Sequence, residues 1–259
     1  MILYSRFLDD VVADLARTVG MFQHLDPARI ACIAQSRSAS SRYGALADCV
    51  TLGMSEEPTL SFRYDKRRLV LLSASPWFVP RNRQVVLGGR RMLYLLRFRF
   101  PRFLEHSPLD TIVHELLHIG ERFDGALRAL PHGRWFERYV AEARREWTRK
   151  GDPALAALAQ CGWDDLLSRF GSVACRCFRR PFKTPLRLPC AREGGWLEHP
   201  QARQLGLRLP DGPVAALPLV FDDPATLELR EADLEYRVFH ANGSQRIAAA
   251  LAESHPDWA

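Results

Sequence analysis

Residues 107–120 read Ser107-Pro108-Leu109-Asp110-Thr111-Ile112-Val113-His114-Glu115-Leu116-Leu117-His118-Ile119-Gly120. On a helix of about 3.6 residues per turn, His114 and His118 lie one turn apart on one face, so both imidazoles reach a single metal ion. Glu115 sits beside the first of them, close enough to take a proton from water without being a ligand. The flanking residues predict the helix itself. Ser107 is a good N-cap, Pro108 suits the first helical position, and Asp110 puts negative charge in the first turn, where the helix dipole favours it. Ile112, Val113, Leu116 and Leu117 supply apolar side chains to hold the helix against a core, and Gly120 is a stop signal.

Two imidazoles do not complete a catalytic zinc site, which has three protein ligands and an open position for water. The chain offers two candidates for the third. His132 follows fourteen residues after His118, in Leu130-Pro131-His132-Gly133-Arg134-Trp135-Phe136, at the start of a second predicted helix. Asp124 lies at the six-residue offset of the metzincin pattern, but that pattern needs Gly three residues after the second His, where Glu121 stands here. His132 is the favoured ligand, and Glu121 reads as a solvated or supporting residue. The motif and its spacing point to metal-assisted hydrolysis, with Zn2+ as cofactor and Glu115 as general base.

The rest of the chain bounds this expectation. Its 259 residues suffice for one large domain or two small ones. No apolar run approaches 18 residues, so no membrane span is expected. The opening MILYSRFLDDVVADL has acidic residues where a secretory signal would be apolar, which predicts a cytoplasmic protein. Six cysteines are then expected as reduced thiols or metal ligands. The net charge is +6, and only Lys66, Lys150 and Lys183 of the 36 basic residues are lysines, so 33 are arginines. Such a surface suits nucleic acid phosphate or another polyanion, or reflects solvated charge without a partner.

Residues 6–22 have Phe7, Leu8, Val11, Leu15 and Val19 at helical spacing. Arg29 to Gln35 predicts a short strand, and SRSASSRYG a loop. Thr59 to Tyr64 and Arg68 to Ser73 predict a hairpin around Asp65-Lys66. Met92 to Phe100 ends in an alternating strand just before the motif helix, which is either an edge for an extended peptide or an ordinary core strand, two readings that sequence alone does not separate. His132 to Lys150 is helical in composition, with Phe136, Tyr139, Val140, Ala143 and Trp147 on one face. Tyr139 and Arg134 are candidates to stabilise an oxyanion. Gly151-Asp152-Pro153 is a break, followed by a predicted helix over Ala154 to Phe170. Beyond it comes the CxC segment Val173–Phe178, and the remainder reads β-rich: strands over Leu205–Leu209, Val214–Phe221 and Thr226–His240, then a short helix from Gln245 to Ala252 capped by Ser244.

HELLH, a spacer and His132-Gly133-x-x-aromatic together resemble the SprT-like zinc metallopeptidases. The order upstream is similar too: a helix, a strand, a Ser/Arg-rich loop, then YLLRFRF leading into HELLHIG, as in SprT-related metallopeptidases of phages and bacteria. The resemblance covers about residues 1–150. It implies a gluzincin-like, α+β fold with a zincin-like domain: an N-terminal helix, a small mixed sheet, the HExxH helix and a second helix. Carried over residue by residue, it implies His114, His118 and His132 as zinc ligands and Glu115 as catalytic base. SprT-like proteins also carry a small zinc ribbon opened by a CxC knuckle. Here Cys175 and Cys177 stand in that place, while Cys190 lacks a close cysteine partner, so Cys175, Cys177, Cys190 and His199 form a candidate second site, with Cys161 a weaker addition.

The expected organisation is therefore a metallopeptidase domain over 1–152 and a helix plus β-rich region over 153–259, which the resemblance derives from a zinc ribbon. The expected activity is zinc-dependent endopeptidase hydrolysis, acting on proteins or peptides, including nucleic-acid-associated ones. The alternative is a zinc-stabilised, Arg-rich module that binds nucleic acid without peptidase chemistry.

Overall fold

The computed structural model describes residues 1–35, 45–52, 62–74, 78–105, 107–128, 130–180, 183–187, 228–242 and 244–248. In chain order its elements are β1 (Ile2–Leu3), α1 (Tyr4–Thr18), β2 (Ile30–Ala34), β3 (Ala47–Thr51), β4 (Phe62–Asp65), β5 (Val70–Ala74), β6 (Phe78–Asn82), β7 (Gln84–Leu87), β8 (Arg90–Arg91) and β9 (Tyr94–Phe98). They continue with α2 (Pro108–Leu117), α3 (Arg134–Lys150), α4 (Pro153–Leu158), α5 (Trp163–Phe170), β10 (Ser172–Phe178), β11 (Lys183–Arg187), β12 (Glu228–Leu229), β13 (Leu234–His240) and β14 (Gln245–Ala248). The class is α+β, with several small sheets. No described helix is long and apolar enough to cross a membrane.

Two compact units divide the chain. One comprises Met1–Met54, Gln84–Pro181 and Leu229–Ala259; the other comprises Ser55–Arg83 and Phe182–Glu228. Residues on both sides of position 152 thus belong to the first unit. The reason lies in pairing: β1 runs parallel to β10, with Ile2 opposite Val173 and Leu3 opposite Ala174, and β10 continues the sheet to β13 and β14. The second unit contains the β4–β5 hairpin and the antiparallel pair of β6 with β11.

In the first unit, α1 buries Tyr4, Phe7, Leu8, Val11, Val12, Leu15 and Ala16, the helical stripe expected of an amphipathic helix. Its buried Asp14 is a polar clamp. The Asp14 carboxylate accepts from Trp147 Nε1 at 2.7 Å and from the Asp152 amide at 2.8 Å, and it pairs with Arg17. This ties α1 to the end of α3 and the start of α4. Gly151 is needed there for space, because a Cβ would come 2.5 Å from Trp147 Nε1 and 2.8 Å from Asp14 Oδ2.

The sheet beside the motif helix has the order β2-β9-β3. β2 is parallel to β9 and β3 antiparallel to it, with Ile30 opposite Tyr94 and Ala47 opposite Phe98. Of the two readings open for residues 92–100, a free edge for a peptide and a core strand, the second holds: β9 is the central strand, flanked on both sides, and its Tyr94, Leu95, Leu96 and Phe98 are fully buried. The outer edge of β2 is blunted by an ion pair. Asp9 accepts from the Cys32 amide at 2.9 Å, its partner Arg176 donates through Nε to the Cys32 carbonyl at 2.9 Å, and the two side chains stand in for a neighbouring strand. Among the described residues, β3 is the remaining edge. Leu46 O accepts from Arg99 N at 2.9 Å and Leu52 N donates to Leu93 O at 2.8 Å, so the even-numbered residues face β9. Ala47, Cys49 and Thr51 turn their backbone groups outward.

Three further expectations are corrected. A single helix over 154–170 is broken into α4 and α5, because Gly162 interrupts it and the Asp165 carboxylate caps the new start by accepting the Gly162 amide at 3.0 Å. The strand expected over 226–240 is two strands separated by a 3-10 turn at Glu231–Asp233. The helix expected after Ser244 is a strand instead. The Asn242 side chain accepts from Ser244 N and Oγ at 3.0 and 2.6 Å, and β14 folds back on β13 with Gln245 opposite Phe239. Asn-Gly is a hairpin signal before it is a helix stop. The loop at 36–44, the strands expected at 205–221 and residues 249–252 lie outside the described residues.

Candidate metal centre

The motif helix forms as its sequence predicts. Ser107 Oγ accepts from the Asp110 amide at 3.3 Å, Pro108 opens the helix, and Ile112, Val113, Leu116 and Leu117 are buried. His114 and His118 are left half-buried on the other side, His118 being the C-cap residue itself.

The chain then doubles back through a braced loop. Gly120 N donates to Ala126 O at 3.0 Å, Arg128 N donates to His118 O at 2.7 Å, and Tyr94 Oη donates to Ala126 O while accepting from Gly125 N. Gly125 has φ +93°, in the left-handed region that favours glycine. Asp124 serves this turn: its carboxylate accepts the Ala126 amide at 3.1 Å. Glu121 pairs with Arg128 at 3.2 Å. Neither carboxylate joins the histidines.

His132 does. Its Nε2 lies 3.2 Å from Nε2 of His114 and 3.2 Å from Nε2 of His118. Among the described residues these three form the single group of His, Cys, Asp or Glu able to hold a metal ion. One imidazole nitrogen can donate to only one neighbour, so three converging at this distance are poorly satisfied without a shared cation. Burial pushes His114 down to about 4, and the two neighbouring imidazoles add to the fall. Burial also lowers His118, against a hydrogen bond to the Arg128 backbone that raises it. Neutral imidazoles are the form a metal ion requires. Phe136 is the platform for the trio, its ring centroid 4.5, 5.3 and 5.0 Å from those of His114, His118 and His132.

Glu115 lines the same cleft as His114 and His132 and meets the Cys49 amide of β3. It is 7% exposed and its carboxyl is pushed up to about 7, first by burial, then by the nearby Asp48 charge, with the Cys49 amide bonding it and acting the other way. That amide is one of the outward-facing groups of β3. Asp48 is itself held by Arg97, through Nε at 2.8 Å and through a second guanidinium nitrogen.

A cleft of about 400 Å³ opens over these residues. Ala45, Leu46 and Ala47 form one wall, Asp110, Thr111, His114 and Glu115 another, and His132, Glu137 and Val140 the third. Tyr139, 45% exposed, and Arg134 do not line it. A larger hollow of about 560 Å³ lies elsewhere, around Arg6, Asp9 and Arg176, but its charged groups are engaged with one another or with backbone, and no cluster of ligating residues lies in it.

The CxC residues are buried on β10. Cys177 donates to Glu235 Oε1 at 3.6 Å and its thiol is pushed up by burial to about 11; burial also holds the Cys175 thiol well above the usual range. Cys161 donates to the Ala157 carbonyl at 3.7 Å. Cys190 and His199 lie outside the described residues.

Sequence reasoning missed Phe136 as the platform, the Cys49 amide on Glu115 and the Tyr94 brace. The aromatic spacing of 132–136 was a signal for the first; the other two depend on strand pairing. No protein-family model, curated protein or solved structure matches the chain.

Proposed function

We propose that the chain is a zinc-dependent endopeptidase of the SprT-like, zincin-like kind. The observation that carries this is the convergence of three histidine nitrogens beside a buried glutamate in an open cleft. Two ligands on a tetrahedral zinc at roughly 2.0–2.1 Å are about 3.3 Å apart, and the two Nε2 separations of 3.2 Å match that figure. Imidazole nitrogens are also donors that suit zinc better than Mg2+ or Ca2+. Bound there, zinc supplies a Lewis acid that polarises a carbonyl and acidifies water.

The chain's own residues do the rest. Glu115, tethered by the Cys49 amide, accepts the proton of the attacking water and returns it to the leaving amine. Its elevated proton affinity suits a group that must do both near neutral pH. The outward backbone of Ala47 offers an extended peptide hydrogen bonds along the edge of β3. Phe136 and the braced loop hold the imidazoles, so little ordering is left for the moment of reaction. The test is Glu115→Gln in the zinc-loaded protein: zinc is retained and hydrolysis of an unfolded protein substrate is lost. Undiminished cleavage rejects the role.

A second reading, docking on nucleic acid, is favoured by the outer face of α3. Trp135 is 70% exposed, Arg138 lies over its ring at 5.7 Å, and Arg134, Arg145 and Arg149 are exposed on the same helix. Exposed aromatic rings among arginines suit stacked bases and phosphates. Binding to single-stranded DNA that weakens steeply with salt supports it; absent or salt-insensitive binding removes it.

A further inference from the structure

The charges in the cleft run against those of the chain. The protein carries +6 overall, yet among the described residues the charged groups lining the cleft beside the histidines are Asp110, Glu115 and Glu137, with no Lys or Arg. Two of the three are already engaged. Asp110 receives Arg144 Nη1 at 3.0 and 2.7 Å on its two oxygens, and Glu115 is buried against the Cys49 amide. Glu137 is different. It is exposed on the first turn of α3, and among the described residues no cation pairs with it. Apolar Val140 lies one turn further along the same helix, and the small side chains of Ala45 and Ala47 leave room on the facing wall.

We infer that Glu137 is a specificity-determining residue that makes the cleft select peptides with a Lys or Arg side chain beside the reacting bond. The inference rests on the peptidase reading of this cleft and adds its substrate class. An aliphatic stem lies along Val140 while its cationic head reaches the Glu137 carboxylate, the division of labour that long basic side chains make at partly apolar surfaces. Asp110 contributes little, because Arg144 answers its charge. Overall charge predicts the opposite preference, since a +6 protein repels basic peptides and attracts acidic ones. A preference for basic residues therefore has to be local.

The test uses the zinc-loaded full chain carrying Glu115→Gln, so that bound peptide is not consumed. Three labelled decapeptides, identical except for a central Lys, Gln or Glu, are titrated by fluorescence anisotropy. The Lys peptide should bind about fivefold more tightly than the Gln peptide, the scale of one solvent-exposed ion pair, and the Glu peptide most weakly. Adding Glu137→Gln should bring the Lys and Gln peptides together, and Glu137→Lys should reverse the order. Equal binding of all three, no binding of any, or a Lys preference that survives Glu137→Gln overturns the inference. Wild-type protein incubated with the same peptides reads the peptidase claim separately: a Lys preference in binding with no cleavage rejects hydrolysis and retains the selection.

Discussion

Asp14→Ala is the substitution that most directly probes how the helices are held around the site. In the native protein the Asp14 carboxylate, 6% exposed, receives the buried Trp147 indole N–H at 2.7 Å and the Asp152 amide at 2.8 Å. Each is a hydrogen bond to a charged acceptor, worth about 1.5–3 kcal/mol. The Arg17 pair adds little, because that guanidinium is 68% exposed and returns to water. Alanine removes both bonds and strands the Trp147 N–H in the core, so the loss should be about 3–5 kcal/mol. Asp14→Asn keeps one acceptor oxygen and the shape of the side chain, and should cost about 1–2 kcal/mol. Urea unfolding followed by tryptophan fluorescence and circular dichroism measures both. Alanine costing less than about 1 kcal/mol, or asparagine costing as much as alanine, would refute the clamp.

Two other outcomes follow from named contacts. Gly151→Ala drives a Cβ into Trp147 Nε1 and Asp14 Oδ2 and should cost about 1–3 kcal/mol in the same assay, even though the backbone there is one that any residue adopts. The metal-free protein should also show opposing pH dependences. His114, lowered from 6.5 to about 4, contributes stability that is present above about 6.5 and lost as pH falls toward 4. Glu115, raised from 4.5 to about 7, contributes stability that is present below about 4.5 and lost as pH rises through 7. The two partly cancel between pH 4.5 and 6.5, so Glu115→Gln should make the metal-free protein gain stability with pH more steeply than wild type across that interval. Parallel curves contradict the assignment.

The parts of this protein that local rules govern were legible in its sequence. The cap at Ser107, the one-turn spacing of His114 and His118, and the start of a second helix just after His132 all follow from interactions within a few residues, and α2 and α3 bear them out. The choice between His132 and Asp124 is not set locally, because it turns on where a loop returns; the Tyr94 brace and the Asp124 turn decide that geometry from 30 residues away or from within the loop. Strand order was not legible at all. Residues 92–100 carry a strand-like pattern, but nothing local says that they are the central strand with 47–51 as the edge beside it. The same holds for β1 and β10, two elements about 170 residues apart whose pairing carries the first unit past position 152. At Asn242–Gln245 two local signals competed, and the pairing of β14 with β13 settled the contest in favour of the hairpin.

The metal content of three purified proteins tests the central claim most directly: wild type, His132→Ala and Asp124→Ala, each measured by mass spectrometry after equilibration with zinc and removal of excess. The geometry of the three imidazoles predicts one zinc per chain in wild type, retention in Asp124→Ala and loss in His132→Ala. Zinc lost from Asp124→Ala and kept by His132→Ala would contradict it.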